Sequence, residues 1–202
     1  MHIALIGASG RVGLRILAEL LARGHKVTAI VRNPERVPAS PNVTALRGDI
    51  LDPIKLATQL VGHSAIVSSV PFTETNPHNL LNAVRASGVQ RYLVVGGAGS
   101  LFVAPGKQLL TAPEFPDGAR EEASKGAAYL ALLREEIEIN WTFLSPSANF
   151  APGVRTGRFR LGKDDLLTSE NGSRISFEDY AVALADEIEA PAHLRARFTV
   201  GY

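Results

Sequence analysis

Three glycines close behind the first apolar run constrain this chain more than any other feature. Residues 5–13 read LIGASGRVG, with Gly7, Gly10 and Gly13 directly after Ile3-Ala4-Leu5-Ile6. Val12, Ile16, Leu17, Leu20 and Leu21 then recur at helical spacing. The pattern predicts strand, tight turn and helix. A residue without a Cβ is needed where backbone turns with positive φ or where a second group comes very close. A strand feeding a helix through such a turn aims the first-turn N–H groups and the positive end of the helix dipole at one spot, which suits a pyrophosphate. Gly7 would supply the turn, Gly10 would let phosphates approach the backbone, and Gly13 would let helix and strand pack closely. Gly7, Ala8, Ser9, Gly10, Arg11 and Val12 are therefore the expected phosphate loop of a dinucleotide site.

Composition fits one such domain spanning residues 1–202. The chain is 46% hydrophobic and 20% charged, enough to bury a sizeable core. A net charge of +1, with no basic block and no aromatic-basic alternation, argues against nucleic acid or an anionic membrane surface as partner. The absence of cysteine excludes disulfides and thiolate metal sites. No apolar run reaches the roughly 18 residues of a membrane span, and the chain opens on a short strand, so a cytoplasmic location is expected. The histidines, His2, His25, His63, His78 and His193, lack metal-ligand spacing, and no metal is expected. Gly97-Ala98-Gly99-Ser100 carries its serine one place too late for a G-x-S-x-G elbow.

Apolar runs and helical stretches alternate along the chain. Further strands are predicted at Lys26–Val31, Val43–Leu46, Ala65–Ser69, Arg91–Val95, Trp141–Leu144 and Arg197–Val200. Helical spacing marks Ile54–Val61, Asn79–Ala86, Gly118–Ile137 and Phe177–Glu189. Short apolar strands separated by helices predict an α/β, Rossmann-type, doubly wound and mostly parallel sheet with helices on both faces. Pro146 to Ser176 breaks this rhythm with Gly, Arg and polar residues, and reads as a substrate-side excursion or lid. The acidic residues Glu121, Glu122, Glu135, Glu136 and Glu138 read as a solvated helix face.

The end of the second strand bears on which dinucleotide fits. A carboxylate there binds the ribose hydroxyls of NAD, whereas an arginine accommodates the 2′-phosphate of NADP. Ile30-Val31-Arg32-Asn33-Pro34 presents Arg32, with Arg36 close behind and Arg11 in the glycine loop. A planar guanidinium suits a phosphate, so NADP is favoured and NAD is the alternative. Asp49 and Ile50 follow the third strand, where a carboxylate can bond the adenine amino group and an apolar side chain can cover the ring. Asp52 suits the competing role of helix cap better. Ser68, Ser69 and Val70, after the fourth strand, fall on the same sheet edge.

The chain resembles the short-chain dehydrogenase/reductase superfamily, and within it the atypical NmrA-like group of NADH-flavin reductases and biliverdin-IXβ (flavin) reductases. The resemblance is carried by Gly7-Ala8-Ser9-Gly10-Arg11-Val12-Gly13, Val31-Arg32-Asn33-Pro34, Gly48-Asp49, Val94-Val95-Gly96-Gly97-Ala98-Gly99-Ser100-Leu101, Trp141-Thr142-Phe143-Leu144-Ser145-Pro146, Pro152-Gly153-Val154-Arg155-Thr156-Gly157 and the closing Arg197–Tyr202. It implies that Ser145 and Pro146 meet the nicotinamide and that Ser100 takes the place of the superfamily's active-site serine.

The chain departs from the wider superfamily at its acid. Typical members use a Tyr-x-x-x-Lys pair to protonate an alkoxide. Here Lys125 has Glu121 four residues before it, and Tyr129 has Leu133 four residues after it. An alkoxide needs a matched proton donor, an effect of about 10²- to 10⁴-fold, whereas a conjugated ring spreads the charge it gains. A flavin or quinone, bound as substrate, is therefore the expected acceptor, with Phe72, Phe102 and Phe150 as candidate walls of its slot. A non-catalytic redox sensor of the NmrA type is the alternative, and a nucleotide-sugar epimerase, which also needs the Tyr-Lys pair, comes third. Monomer and homodimer are both compatible with the sequence.

Overall fold

A computed structural model describes residues 1–202. Its frame is an eight-stranded sheet. The first half comprises β1 (His2–Ile6), β2 (Lys26–Val31) and β3 (Val43–Arg47), with α1 (Arg11–Ala22) crossing from β1 to β2. α2 (Pro53–Leu60) leads to β4 (Ala65–Ser68), and α3 (Pro77–Ala86) to β5 (Arg91–Val95). A small hairpin, β6 (Phe102–Ala104) with β7 (Lys107–Gln108), precedes α4 (Asp117–Arg134) and β8 (Asn140–Pro146). Then come β9 (Asn149–Ala151), β10 (Arg160–Gly162), β11 (Arg174–Ser176), α5 (Phe177–Glu189) and β12 (Ala196–Gly201).

The sheet runs β10-β12-β8-β5-β4-β1-β2-β3, parallel throughout except for the antiparallel edge strand β10. Both faces are covered, which is why its strands read as continuous apolar runs. Ile3 and Leu5 of β1 join Ile16, Leu17, Leu184 and Ile188 on the α1/α5 face. Ala4 and Ile6 join Leu56, Leu81, Val84 and Leu130 on the opposite face. Strand order reverses between β1 and β4, and in open α/β sheets ligands bind at that reversal, beyond the carboxyl ends of the strands.

Local signals account for most boundaries. Gly24 at φ +79° ends α1, and the Asp52 carboxylate accepts the Lys55 N–H to cap α2. α4 stops at Arg134, earlier than its spacing suggested. Glu136 is buried there, accepting the N–H groups of Glu138 and Ile139 and pairing with Arg85. It is not part of a solvated face.

The excursion does not hang over the sheet edge as a lid. Arg155 Nε and Nη2 donate to the two Glu19 oxygens at 2.8 and 2.9 Å, and the N–H groups of Thr156 and Gly157 both reach Asp179 Oδ1 at 2.8 Å. These bonds fasten residues 155–157 against α1 and α5. β9 pairs with β11 beside them, and β10 extends the main sheet. No helix is long and apolar enough to cross a membrane.

Candidate functional site

A groove crosses the carboxyl edge of the sheet at the reversal between β1 and β4. It consists of two hollows of about 650 and 1210 Å³ that share Gly10, Arg11, Ser69, Val70 and Pro71. The glycines shape this waist. Gly7 has φ +81°, and a Cβ there would run into the Ser69 carbonyl; a Cβ on Gly13 would run into the Gly7 carbonyl. Gly10 differs: a Cβ on it would stand 3.2 Å from the nearest atom, Gly7 O, and the residue lines both hollows.

The start of α1 lacks what helix starts usually carry. Its N-cap is Gly10, with no side-chain cap bond and no acidic residue in the first turn. The N–H groups of Arg11 and Val12 have no protein acceptor. Unsatisfied donors at a positive helix end, in a cradle kept open by a missing Cβ, are the complement of a phosphate. The residues present thus fit a dinucleotide's pyrophosphate.

The smaller hollow brings Gly7, Ser9, Arg11, Arg32, Arg36, Asp49 and Ile50 together. The guanidiniums are engaged differently within it. Arg32 Nη1 lies 3.2 Å from Glu74 Oε2, and Arg11 stands over the Phe177 ring at 5.2 Å. The Asp49 carboxylate accepts the Leu51 N–H at 3.0 Å and leaves the α2 cap to Asp52. Ala8 is fully buried behind the turn. Ser68 is also buried, bonded to the Tyr92 hydroxyl at 2.8 Å, so Ser69 and Val70 face the groove and Ser68 does not.

The larger hollow is a wide, mostly apolar cleft. On one side runs the backbone of Gly96–Gly99; on the other, α4 presents Ala119, Ala123, Gly126 and Ala127. Phe72 packs over Gly126 and stacks near Phe143 with ring centroids 6.0 Å apart. Phe150 borders the mouth, edge-on to Phe177 at 4.6 Å. Of the excursion, Pro146, Ser147, Ala148, Asn149, Phe150 and Ser173 line it.

Two expectations need correction here. Phe102 lies outside the cleft: the chain turns away after Leu101 into the β6–β7 hairpin, whose start is bonded through Phe102 N–H to Asp164 O, and the ring lines a separate small hollow. Pro146 lines the cleft but Ser145 does not; the Ser145 side chain is fully buried and its hydroxyl has no partner.

Ser100 does line the cleft, and its Oγ accepts a hydrogen bond from Arg197 Nη1 at 3.0 Å. Glu122, expected on a solvated face, lines the cleft too and accepts the N–H groups of Phe72 and Thr73 at 2.7 and 2.8 Å, clamping the Phe72 turn to α4. Sequence reasoning assigned no functional role to Arg197 and placed Glu122 on a solvated helix face. The one available sign was that Glu122 shares a helical face with Ala119, Ala123 and Gly126, a lone carboxylate among small residues.

Arg11, Glu114 and Glu122 are the charged residues of the cleft; no tyrosine, lysine or histidine lines it. The tyrosines are committed elsewhere. Tyr129 bonds Tyr92 in a buried chain that ends at Ser68, and burial pushes the Tyr92 hydroxyl up to about 12 and the Tyr129 hydroxyl well above its usual range. Tyr180 donates to the Leu144 carbonyl and Tyr202 to Asp179.

With this geometry in place, comparison with known proteins is decisive. A family model described as NAD(P)H-binding matches residues 7–191. The chain belongs to this NAD(P)H-binding family. It is 42% identical over 99% of its length to the Bacillus subtilis protein YwnB, described as uncharacterized, covering 98% of that protein. A solved structure from Bacteroides thetaiotaomicron, described as a "putative epimerase", superposes with a TM-score of 0.94 at 42% identity, covering 100% of this chain and 96% of that one. Another, from Streptococcus pneumoniae and described as a "putative NADH-flavin reductase", gives 0.84 at 34% identity, covering 100% and 99%. The similarity to these relatives covers the whole chain, and membership of an NAD(P)H-binding family agrees with the open phosphate cradle at the start of α1.

Proposed function

We propose that the chain is a cytoplasmic reductase that passes hydride to a flavin, quinone or similar conjugated acceptor, using NADPH in preference to NADH, with the flavin acting as a substrate and not as a resident cofactor. One observation carries this reading: the cleft beside the phosphate cradle is about 1210 Å³ and offers no tyrosine, lysine or histidine. Pockets for a single small ligand usually enclose roughly 300–1,000 Å³, so this one has space for the nicotinamide end and a second planar molecule.

The missing acid narrows the acceptor. Tyr92, Tyr129 and Tyr180 each lack a lysine four residues later, where Gly96, Leu133 and Leu184 stand. Reducing a ketone without a matched donor forfeits about 10²- to 10⁴-fold, whereas a ring that delocalises its charge needs mainly alignment. The same absence weighs against epimerase chemistry.

The bound cofactor would supply the hydride; the chain's residues hold and align. The α1 N-terminus and Gly10 would seat the pyrophosphate, Arg32 and Arg36 the 2′-phosphate, and Asp49 with Ile50 the adenine. Pro146 would meet the nicotinamide end, while Phe72 and Phe150 would bound the acceptor. A redox sensor would cover the nicotinamide face, and here the adjoining space is open, which supports turnover.

The test is absorbance at 340 nm with NADPH or NADH and riboflavin, FMN or a small quinone, repeated with Arg32→Asp. Saturable turnover that prefers NADPH, with the preference lost in the variant, is the expected result. Tight NADPH binding without turnover on any acceptor would overturn it in favour of the sensor.

A further inference from the structure

We infer that a further hollow, adjoining the mouth of the cleft, is an anion subsite in which Arg158 and Arg174 hold a phosphate or carboxylate carried on the tail of the acceptor. The inference rests on the reductase reading above, which seats the acceptor ring in the cleft.

The hollow follows from the pleat of a two-stranded ribbon. β9 and β11 run parallel, with Asn149 opposite Arg174 and Ala151 opposite Ser176. Side chains alternate between the faces of a strand, so these four share one face, and all of them line the hollow. Phe150, between Asn149 and Ala151, packs the other way against Phe177 and Tyr180 and borders the cleft. Asn149 lines both cavities and is the rim over which one ligand can reach from cleft to hollow. Residues between Pro152 and Arg158 supply much of the remaining wall, and the bonds of residues 155–157 to Glu19 and Asp179 hold that wall in place.

The charge of the hollow is one-sided. None of its eleven lining residues is acidic, and two are arginines. Nine of the sixteen arginines in the chain pair with a carboxylate, but Arg158 and Arg174 do not. Two others left unpaired, Arg11 and Arg36, border the cofactor hollow, where phosphate is expected. Asp179, bonded to the wall, is buried and already accepts from Thr156, Gly157 and Tyr202.

The donors are also partly ordered. Arg174 stands over the Tyr202 ring with Cζ 5.6 Å from its centroid, a contact that fixes the guanidinium without neutralising it. Val154, another lining residue, has a backbone N–H with no protein acceptor. Forked guanidinium donors match the oxygens of a phosphate or carboxylate. At about 650 Å³ the hollow exceeds what one such group needs, leaving room for the polar chain that joins it to a ring in the cleft.

Quenching of flavin fluorescence by the NADP⁺-loaded protein tests this. FMN and riboflavin share a ring and a ribityl chain, and only FMN carries a phosphate. FMN should bind at least about tenfold more tightly. Arg158→Gln and Arg174→Gln should each weaken FMN binding about fivefold, the scale of an exposed charge pair, and together they should erase the preference without changing riboflavin affinity. Both side chains are exposed, so an unchanged melting temperature is expected for the variants. Added salt should shrink the preference in the wild type.

Inorganic phosphate, titrated against bound FMN, separates the two sources of such an anion. Displacement of FMN only at phosphate concentrations far above the FMN dissociation constant supports an anion held as part of the acceptor. Phosphate binding that disappears in the double variant, with no preference for FMN over riboflavin, would overturn that assignment in favour of a free anion. Equal affinities for the two flavins, or a preference that the double variant keeps, would also overturn the inference while leaving the cleft reading intact. A wild type that binds neither flavin would remove both. A protein that shows the arginine-dependent preference yet oxidises no NADPH would remove the reductase reading alone, because the binding contrast needs no turnover.

Discussion

Arg32 and Glu74 face each other across the smaller hollow, with Arg32 Nη1 3.2 Å from Glu74 Oε2 and both side chains largely exposed. Such a pair is worth about 0–1 kcal/mol, so an incoming 2′-phosphate displaces the carboxylate readily. The carboxylate nonetheless stays nearby and repels that phosphate, while offering an acceptor to a free ribose hydroxyl. Glu74→Gln should therefore raise the NADPH-to-NADH ratio of kcat/KM by about fivefold, the equivalent of roughly 1 kcal/mol. Arg32→Gln should lower it, and both effects should shrink with added salt. A ratio that neither substitution moves would remove Arg32 from the cofactor site.

The glycines of the turn should separate by experiment into structural and binding positions. Gly10→Ala adds a methyl 3.2 Å from the nearest atom on a residue that lines the groove, so thermal stability should hold while NADPH affinity, read by fluorescence, drops at least about tenfold. Gly13→Ala forces a methyl into the Gly7 carbonyl, and should lower the melting temperature by several degrees as well.

Gly126 makes the opposite of the usual helix argument. Alanine normally stabilises a helix interior by about 0.5–1 kcal/mol over glycine. Here the added Cβ would stand 2.9 Å from the Phe72 ring, which has to move off its seat. Gly126→Ala should yield no gain in melting temperature and a raised KM for the acceptor, with the KM for NADPH unchanged.

Asp179 ties residues 156–157, in the middle of the excursion, to α5. Burial pushes its pKa up, but hydrogen bonds from Thr156, Gly157 and Tyr202 outweigh this and hold it below the usual carboxylate range. A folded-state pKa below the unfolded value, about 3.9, contributes stability that is complete above that value and is lost as pH falls through the folded pKa. The urea midpoint should accordingly drop on acidification below about pH 5. Asp179→Asn should flatten that decline and weaken the fold at pH 7 by about 1–3 kcal/mol, because the amide cannot accept from all of these donors.

How far the sequence could be read depended on whether a signal was local. The Gly7–Gly13 turn, the Asp52 cap and the Gly24 stop each depend on neighbours within a few residues, and they emerge where predicted. Arg32, Arg36 and Asp49 also meet, because parallel strands deliver their carboxyl ends to one edge. Ser68 and Ser145 failed for a reason of parity: at the end of a strand one residue faces the groove and its neighbour faces the interior, and apolar runs buried on both sides do not reveal which. Phe102 failed because a hairpin of two very short strands carries it away from the edge. Arg197 was hidden by its separation of 97 residues from Ser100, a contact that only strand order creates.

The small residues along α4, Ala119, Ala123, Gly126 and Ala127, give the cleft its width by side chains that are not there. Almost any replacement at these positions adds atoms on the open side, so mutation here is directional. At these positions the cleft can be narrowed one residue at a time, while widening it calls for trimming larger lining side chains such as Leu109, Phe115 or Phe150. Along this helix face the cleft is already close to its widest.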